Sequence, residues 1–275
     1  MKKTVSFYKI SAAGNDFILV DNRKKVLPRN ISSIAKKWCH RKFSIGADGL
    51  ILLEESKKVH FKMRFYNADG SIAAMCGNGG RSLARFAHLL GIAPKKMVFE
   101  TDAGLIQAEI LSKNVRLRLS EPKNARLDFP LRVERKEFDA SFIDTGVPHT
   151  IIFVNDIEKA DVVSLGQMVR FHREFAPAGT NVDFVQKKDG HTIYVRTYER
   201  GVEDETLACG TGVTASAIVS GLKGLVTPPV SCITRGGDIL KVSYNINEAG
   251  DFLSPVSSVY LEGPAEVSFS GEAAV

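Results

Sequence analysis

The sequence lacks the features that would place the chain in a membrane or outside the cell. No apolar run approaches the ~18 residues that a helix needs to cross a bilayer. The opening residues, Met1–Lys9, carry charge but not the apolar stretch of a signal peptide. We therefore expect a cytoplasmic protein with no membrane partner.

Cysteine is scarce, with four residues in 275, namely Cys39, Cys76, Cys209 and Cys232. Neither zinc-finger spacing nor a Cys-x-x-Cys pair is present, so no metal site is expected. The absence of a signal peptide and the chain length both argue against a disulfide framework. We expect four reduced thiols, with Cys39 and Cys232 as small core residues.

A long basic run is also missing, although the net charge is +6 and the pI is near 9.1. Such a charge is compatible with an acidic partner such as nucleic acid. The lysines, however, are scattered in short pairs such as Lys24-Lys25 and Lys57-Lys58, and no nucleic-acid motif accompanies them. We interpret the charge as a solvated surface and expect no nucleic-acid partner.

What is present is an internal repeat. Gly146 follows Gly14 by 132 residues, and other segments match at the same offset. The matching segments are Leu50–Leu53 with Val182–Val185, Phe61–Phe65 with Ile193–Thr197 and, after one inserted residue, Cys76–Gly79 with Cys209–Gly212. Identities are few, so a chance alignment is the alternative. The constant order and offset favour a duplication.

Each half has the same predicted order of elements. Short apolar or alternating segments indicate strands, and a Cys-Gly-x-Gly turn follows. Helices are then predicted at Arg81–Leu90 and Val213–Leu222, and the second is apolar enough to be buried. The expected fold is α+β, with two pseudo-symmetric domains. Each is a curved mixed β-sheet or barrel wrapped around a central helix, with the active site in the cleft between them.

The expected domain boundaries follow from the repeat. The N-terminal half spans 1–122 and the C-terminal half spans 123–264. A polar linker is predicted at about Pro122–Pro130. The tail 265–275 contains the alternating Val267-Ser268-Phe269 and is expected to return to the first half as a strand.

A cysteine at the start of a helix has a chemical consequence. The N–H groups of the first turn have no intrahelical partners, and the helix dipole places positive charge there. Both effects favour a thiolate, so we expect the cysteine pKa to fall from ~8.5 toward neutrality. The same N–H groups, at Gly77-Asn78 and Gly210-Thr211, can hold a carboxylate.

Two such cysteines suit the inversion of an α-carbon. One thiolate removes a proton from one face, and the other thiol donates a proton to the opposite face. N–H donors aimed at the carboxylate stabilise its developing charge, so no electron-sink cofactor is required. A Schiff-base lysine stays open on this reasoning. A dinucleotide fingerprint is disfavoured because Ser82 stands where its last glycine belongs.

Longer motifs around both cysteines resemble those of the diaminopimelate epimerase family. These are Gly14–Phe17, Gly46–Gly49, Phe65–Ser71, Cys76–Arg81, Gly179–Phe184, Glu199–Gly201 and Glu205–Gly212. The resemblance covers roughly residues 7 to 270. It implies a cofactor-independent homodimer that interconverts LL- and meso-diaminopimelate, without pyridoxal phosphate or metal, for lysine and peptidoglycan synthesis.

The resemblance also implies roles for individual residues. Cys76 and Cys209 are the acid–base pair, Gly77-Asn78 and Gly210-Thr211 hold the reacting carboxylate, and His149 and Glu199 tune the thiols. The remaining amino and carboxylate groups of the substrate fall to Asn15, Asn67, Asn181, Glu199 and Arg200. One departure is Val147, where many members of the family carry Asn before the Pro-His pair.

Three other functions stay open. A proline or hydroxyproline racemase shares the duplicated architecture but has no need for Arg200 and the asparagines. A catalytically silent amino-acid-binding protein on the same fold is the second possibility. A thiol-redox protein is the third, since facing cysteines can oxidise to a disulfide.

Overall fold

A computed structural model of the chain describes residues 3–247 and 251–275. The described residues form an α+β fold that is dominated by strands, as predicted. The strands are β1 (Thr4–Ala12), β2 (Asn15–Asp21), β3 (Gly49–Glu54), β4 (Phe61–Asn67), β5 (Ile72–Ala73), β6 (Lys96–Thr101), β7 (Gly104–Leu111), β8 (Asn114–Arg118), β9 (Lys123–Val133), β10 (Lys136–Asp144), β11 (Pro148–Phe153), β12 (Asn181–Lys187), β13 (Thr192–Glu199), β14 (Asp204–Thr206), β15 (Val230–Thr234), β16 (Ile239–Ile246), β17 (Val256–Pro264) and β18 (Glu266–Ala274). The helices are α1 (Ile31–Cys39), α2 (Gly77–Leu89), α3 (Val162–Arg170) and α4 (Gly210–Leu222).

The chain divides into two compact units. The first unit comprises the described residues up to Leu117 together with Gly263–Val275, and the second comprises Arg118–Glu262. In the first unit, β18 pairs with β1 in antiparallel register, with Val5 opposite Ala273. The boundaries 1–122 and 123–264 stay a proposal about the two halves of the duplication.

The sheet of the first unit mixes parallel and antiparallel pairs. Strands β2 and β3 are parallel, β3 and β4 are antiparallel, and β4 and β6 are parallel. Strand β3 is buried because its residues Leu50–Leu53 are apolar on both faces. Helix α2 buries Leu83, Ala84 and Phe86 in this unit. It thereby holds its first residues in a fixed position.

The second unit repeats this arrangement. Strands β11 and β12 are parallel, β12 and β13 are antiparallel, and β13 and β15 are parallel. Helix α4 is buried over almost its whole length, from Gly212 to Gly221. Its small and apolar residues account for this burial, as the sequence predicted.

The strand registers confirm the duplication. Phe17 lies opposite Gly49 in the first unit, and His149 lies opposite Asn181 at the equivalent place in the second. Helices α2 and α4 both have 13 residues, and each begins one residue after a cysteine. The two halves of the chain therefore have the same backbone plan.

Two local predictions were wrong. The expected linker at Pro122–Pro130 is largely strand β9, which pairs with β10. Its buried residues Phe129, Leu131 and Val133 alternate with exposed ones. Pro130 has no backbone N–H to donate, which is tolerated because this residue is exposed. Both central helices also begin earlier than predicted, because the glycines after each cysteine belong to the first helical turn.

No helix in residues 3–247 and 251–275 has the length and apolar character that a bilayer span requires.

Candidate active site

Each central helix begins at a cysteine. Cys76 and Cys209 are the N-cap residues of α2 and α4, and both have extended backbone angles. Their carbonyl oxygens accept the first helical hydrogen bonds, from Gly80 at 2.8 Å and from Val213 at 2.9 Å. Both thiols therefore lie at the positive end of a helix. Cys39 and Cys232 are free and buried in the core, as expected.

The thiol of Cys209 is buried and takes part in the cap. Its sulfur accepts a hydrogen bond from the backbone N–H of Gly212 at 3.4 Å. The Thr211 hydroxyl lies 3.3 Å from the same sulfur. Cys76, in contrast, is only half-buried. The two helix starts thus have similar backbones but different surroundings.

The pKa of Cys209 is raised well above its ordinary value. Burial is the largest cause, and the nearby carboxylates of Glu199 and Asp183 add to it. The contacts with Thr211 and Gly212 act in the opposite direction but are weaker. The lowered pKa expected from the helix start is therefore wrong for Cys209, because burial and the two carboxylates act more strongly.

Glu199 lies beside this thiol at the end of β13. Burial raises the pKa of the Glu199 carboxyl, while hydrogen bonds with Thr206 and the Cys209 thiol and the electrostatic effect of His149 act against that rise. A carboxyl group in such surroundings exchanges protons closer to neutral pH than an exposed one. Glu199 is thus placed to influence the charge at Cys209.

A buried polar network lies under the start of α4. The Asp183 carboxylate lies 2.7 Å from Nδ1 of His149, and neither side chain is exposed. The Thr197 hydroxyl donates to the other Asp183 oxygen at 2.7 Å. Asn181 donates to the Pro148 carbonyl at 3.0 Å. Three strands, β11, β12 and β13, therefore contribute polar groups to one place.

In the first unit, a chain of hydrogen-bonded polar side chains supports the start of α2. The Asn78 amide donates to Asn15 Oδ1 at 2.7 Å, and Arg81 donates to Asn78 Oδ1 at 2.7 Å. Asn15 in turn donates to Asp48 at 2.9 Å. These bonds fix which end of each amide faces its neighbour. The structure therefore brings Asn15 and Asn78 together.

The other predicted binding residues lie at strand ends. Asn67 ends β4 and donates to the Ser71 hydroxyl at 2.9 Å. Arg200 follows β13, its backbone N–H donates to Asn181 Oδ1 at 2.8 Å, and its guanidinium donates to the Ala178 carbonyl at 3.1 Å. Asn181 and Arg200 therefore lie together in the second unit, and Asn67 lies in the first.

Comparison with known proteins now places the chain. The family model described as "Diaminopimelate epimerase" matches residues 7–123 and 141–266. The chain belongs to the diaminopimelate epimerase family. The diaminopimelate epimerase of Aquifex aeolicus is 44% identical over 279 residues, which is 97% of each chain. That of a Hydrogenobaculum species is 42% identical over 276 residues, or 96% of each chain. The chain is accordingly an enzyme, an isomerase of the epimerase class.

Solved structures share the fold at low sequence identity. A phenazine biosynthesis protein of the PhzF family from Bacillus anthracis has a TM-score of 0.75 at 13% identity. The match covers 99% of this chain and 100% of that protein. A hydroxyproline epimerase from Agrobacterium vitis has a TM-score of 0.70 at 14% identity, with coverages of 100% and 94%. The fold of the diaminopimelate epimerase family is therefore shared with these proteins.

Sequence reasoning missed the polar partners that orient the named residues. Asp183 was visible as an acidic residue within the apolar segment Val182–Val185, which signals a buried carboxylate with a partner. Asp48 and Arg81 were visible only as members of motifs. Among residues 3–247 and 251–275, no group of three or more His, Cys, Asp and Glu side chains is arranged to hold a metal ion.

Proposed function

We propose that this member of the diaminopimelate epimerase family interconverts LL- and meso-diaminopimelate by a two-base mechanism. The observation that carries the proposal is the placement of Cys76 and Cys209 at equivalent helix starts in duplicated halves. The reaction uses neither pyridoxal phosphate nor metal. It supplies lysine and peptidoglycan precursor synthesis in the cytoplasm.

One cysteine must begin as a thiolate and the other as a thiol. Burial and the neighbouring carboxylates raise the pKa of the Cys209 thiol, which favours Cys209 as the proton donor of the resting enzyme. Cys76 then removes the α-proton. In the opposite direction the two residues exchange roles, as microscopic reversibility requires.

The carbanion that forms must be stabilised without a cofactor. Backbone N–H groups at Gly77-Asn78 and Gly210-Thr211 belong to first helical turns, where donors have no intrahelical acceptor. They are suited to hold the reacting carboxylate while negative charge develops on it. Removing one such donor typically costs ~10²–10³-fold in kcat.

Polar side chains bind the groups of the substrate that do not react. Asn15, Asn67, Asn181 and Glu199 accept from its ammonium groups or donate to its carboxylates. Arg200 is suited to a distal carboxylate through paired N–H donors. The side chain of Val147 is apolar and has no hydrogen bond to offer a substrate. Its carbonyl oxygen already accepts a hydrogen bond from the backbone N–H of Thr145 at 3.1 Å.

The test is proton exchange in deuterated water. Purified, reduced enzyme is incubated with LL-diaminopimelate, without cofactor, and both α-deuteration and the meso isomer are followed. We expect both signals from the wild type and no epimerisation from Cys76→Ala or Cys209→Ala. Cys39→Ala is the matched control and keeps activity, because that thiol lies in the core of the first unit.

A folded wild type that exchanges no α-proton would overturn the substrate assignment. Proline and hydroxyproline would then be tested in the same assay, and inactivity on all three would indicate a binding protein.

A homodimer is also proposed from the family, and sedimentation equilibrium at several protein concentrations tests it. A monomer at all of them would contradict this proposal.

A further inference from the structure

Asp183 is a carboxylate that lies among the apolar residues Val182, Phe184 and Val185 of strand β12. It is fully buried, and its neighbours Val182, Phe184 and Val185 are buried as well. Burial of an ionised carboxylate is costly unless hydrogen bonds compensate. Its two oxygens are held by Nδ1 of His149 and by the hydroxyl of Thr197, both at 2.7 Å.

Asp183 also lies against the first turn of α4. A Cβ placed on Gly212 would lie only 2.4 Å from an Asp183 carboxylate oxygen. Gly212 is the residue whose N–H donates to the Cys209 sulfur. The carboxylate is therefore packed directly beneath the turn that presents the thiol.

The first unit shows that the fold does not require this polar layer. The residues equivalent to His149, Asp183 and Thr197 are apolar, namely Phe17, Ile51 and Phe65. There, the glycine equivalent to Gly212 is Gly79, and its nearest neighbour is the terminal methyl of Ile51. The same backbone thus accommodates an aliphatic side chain at the position of Asp183.

We propose that Asp183 is a positioning residue of the epimerase reaction, which holds the ring proton of His149 on Nδ1 and leaves a lone pair on Nε2. The ionised carboxylate has no proton to donate, so Nδ1 must be the donor in their 2.7 Å contact. Nε2 lies 3.5 Å from the Asn181 amide nitrogen, on the side of the proposed substrate-binding residues. Asp183 therefore fixes both the orientation of His149 and the ring nitrogen that accepts a proton.

Several ionisable groups surround α4, and a test must distinguish the effect of Asp183 from the effects of the others. Asp183, Glu199 and His149 face its start from β12, β13 and β11. Further along the helix, Cys232 on β15 and Tyr244 on β16 bond to carbonyl oxygens of α4. Asp183 is the group among these that contacts His149 directly.

The first experiment reads the tautomer of His149 in the ligand-free protein by ¹⁵N NMR of labelled histidine side chains, with His149→Gln to assign the signal. We expect the proton on Nδ1 in the wild type and on Nε2 in Asp183→Leu. Thr197→Val is the matched control, because it removes the other partner of Asp183 and leaves the wild-type tautomer. A wild-type proton on Nε2, or an unchanged tautomer in Asp183→Leu, would overturn the proposal.

A second readout follows the thiols. The rate of alkylation at each cysteine is measured against pH by mass spectrometry in wild type, Asp183→Leu and Thr197→Val. In Asp183→Leu the midpoint for Cys209 moves to lower pH because a nearby negative charge is lost, while that for Cys76 stays in place. Equal movement at both cysteines would indicate a general loss of structure and would contradict the proposed role.

The kinetic consequence rests on the proposed function. We expect kcat for epimerisation to fall about 10- to 100-fold in Asp183→Leu, which is the loss typical of carboxylates that orient a metal-bound histidine. KM should change much less, because Asp183 does not contact substrate. The tautomer and alkylation readouts need no substrate. They decide the role of Asp183 even if the substrate assignment fails.

Discussion

Alanine at Gly212 should destabilise the protein, whereas alanine at the equivalent Gly79 should not. The two glycines are the third residues of α4 and α2 and have the same place in the duplicated fold. A Cβ at Gly212 would lie 2.4 Å from an Asp183 oxygen and 2.9 Å from the Thr197 hydroxyl. Both oxygens are held in place, because the Thr197 hydroxyl donates a hydrogen bond to this Asp183 oxygen at 2.7 Å. The other Asp183 oxygen is hydrogen-bonded to His149.

The magnitude follows from two opposing terms. Replacing glycine by alanine within a helix stabilises by about 0.5–1 kcal/mol, and overpacking a tight site costs about 1–3 kcal/mol. For Gly212→Ala the difference is about 0–2.5 kcal/mol of destabilisation, and rigid neighbours place it toward the upper end. At Gly79 the Cβ would meet the ends of Ile51 and Met63, at 3.0 and 3.3 Å, which can rotate away. We expect Gly79→Ala to change stability by less than about 0.5 kcal/mol.

Urea denaturation of both variants, followed by circular dichroism, measures these differences. Gly212→Ala should also lose more epimerase activity than Gly79→Ala, because it displaces Asp183. If Gly212→Ala were as stable as Gly79→Ala, the carboxylate would not be fixed beneath the helix start. The reasoning about this polar layer would then be refuted.

Two further predictions concern charge. Glu199→Gln removes a negative charge near Cys209, so the thiol pKa falls and alkylation of Cys209 should reach half of its maximal rate at lower pH; an unchanged midpoint would contradict this. In the first unit, burial acts to raise the pKa of Asp16, but hydrogen bonds from Arg41 and Lys9 outweigh it and lower the pKa from 3.8 to about 2. Because the folded-state pKa is depressed, this carboxylate stabilises the fold above pH ~4, and the contribution is lost as the pH falls toward 2. Asp16→Asn should therefore be less stable at neutral pH and lose less stability between pH 4 and 2, as measured by urea denaturation at each pH; parallel pH profiles would contradict this.

The elements that could be predicted from sequence are those with a strong local pattern. The apolar segment Leu50–Leu53 became β3, and the small, apolar stretch from Val213 became the buried part of α4. The duplication was visible because both halves kept the same spacing between strands and cysteine. Each of these features depends on residues that are near one another in the chain.

The features that were missed depend on tertiary contacts. Pro130 and the polar residues around it suggested a linker, but alternating burial against β10 makes the segment a strand. The helix start favours a thiolate at Cys209, but burial and two carboxylates from β12 and β13 outweigh that local effect. Their positions depend on strand pairing, which the local sequence around Cys209 does not contain.

The unequal halves have a consequence for the two-base mechanism that we propose. With two identical, independent thiols, at most roughly half of the molecules hold one proton between them at any pH, and these divide equally between the two arrangements. In this chain, carboxylates lie beside Cys209, whereas an apolar side chain lies at the equivalent place near Gly79. This difference removes that equality. The raised pKa of Cys209 favours the arrangement in which this residue holds the proton, so that more molecules begin in one productive arrangement. Because the reverse reaction needs the other arrangement, the same asymmetry should make the two directions saturate differently while leaving the equilibrium between the isomers unchanged.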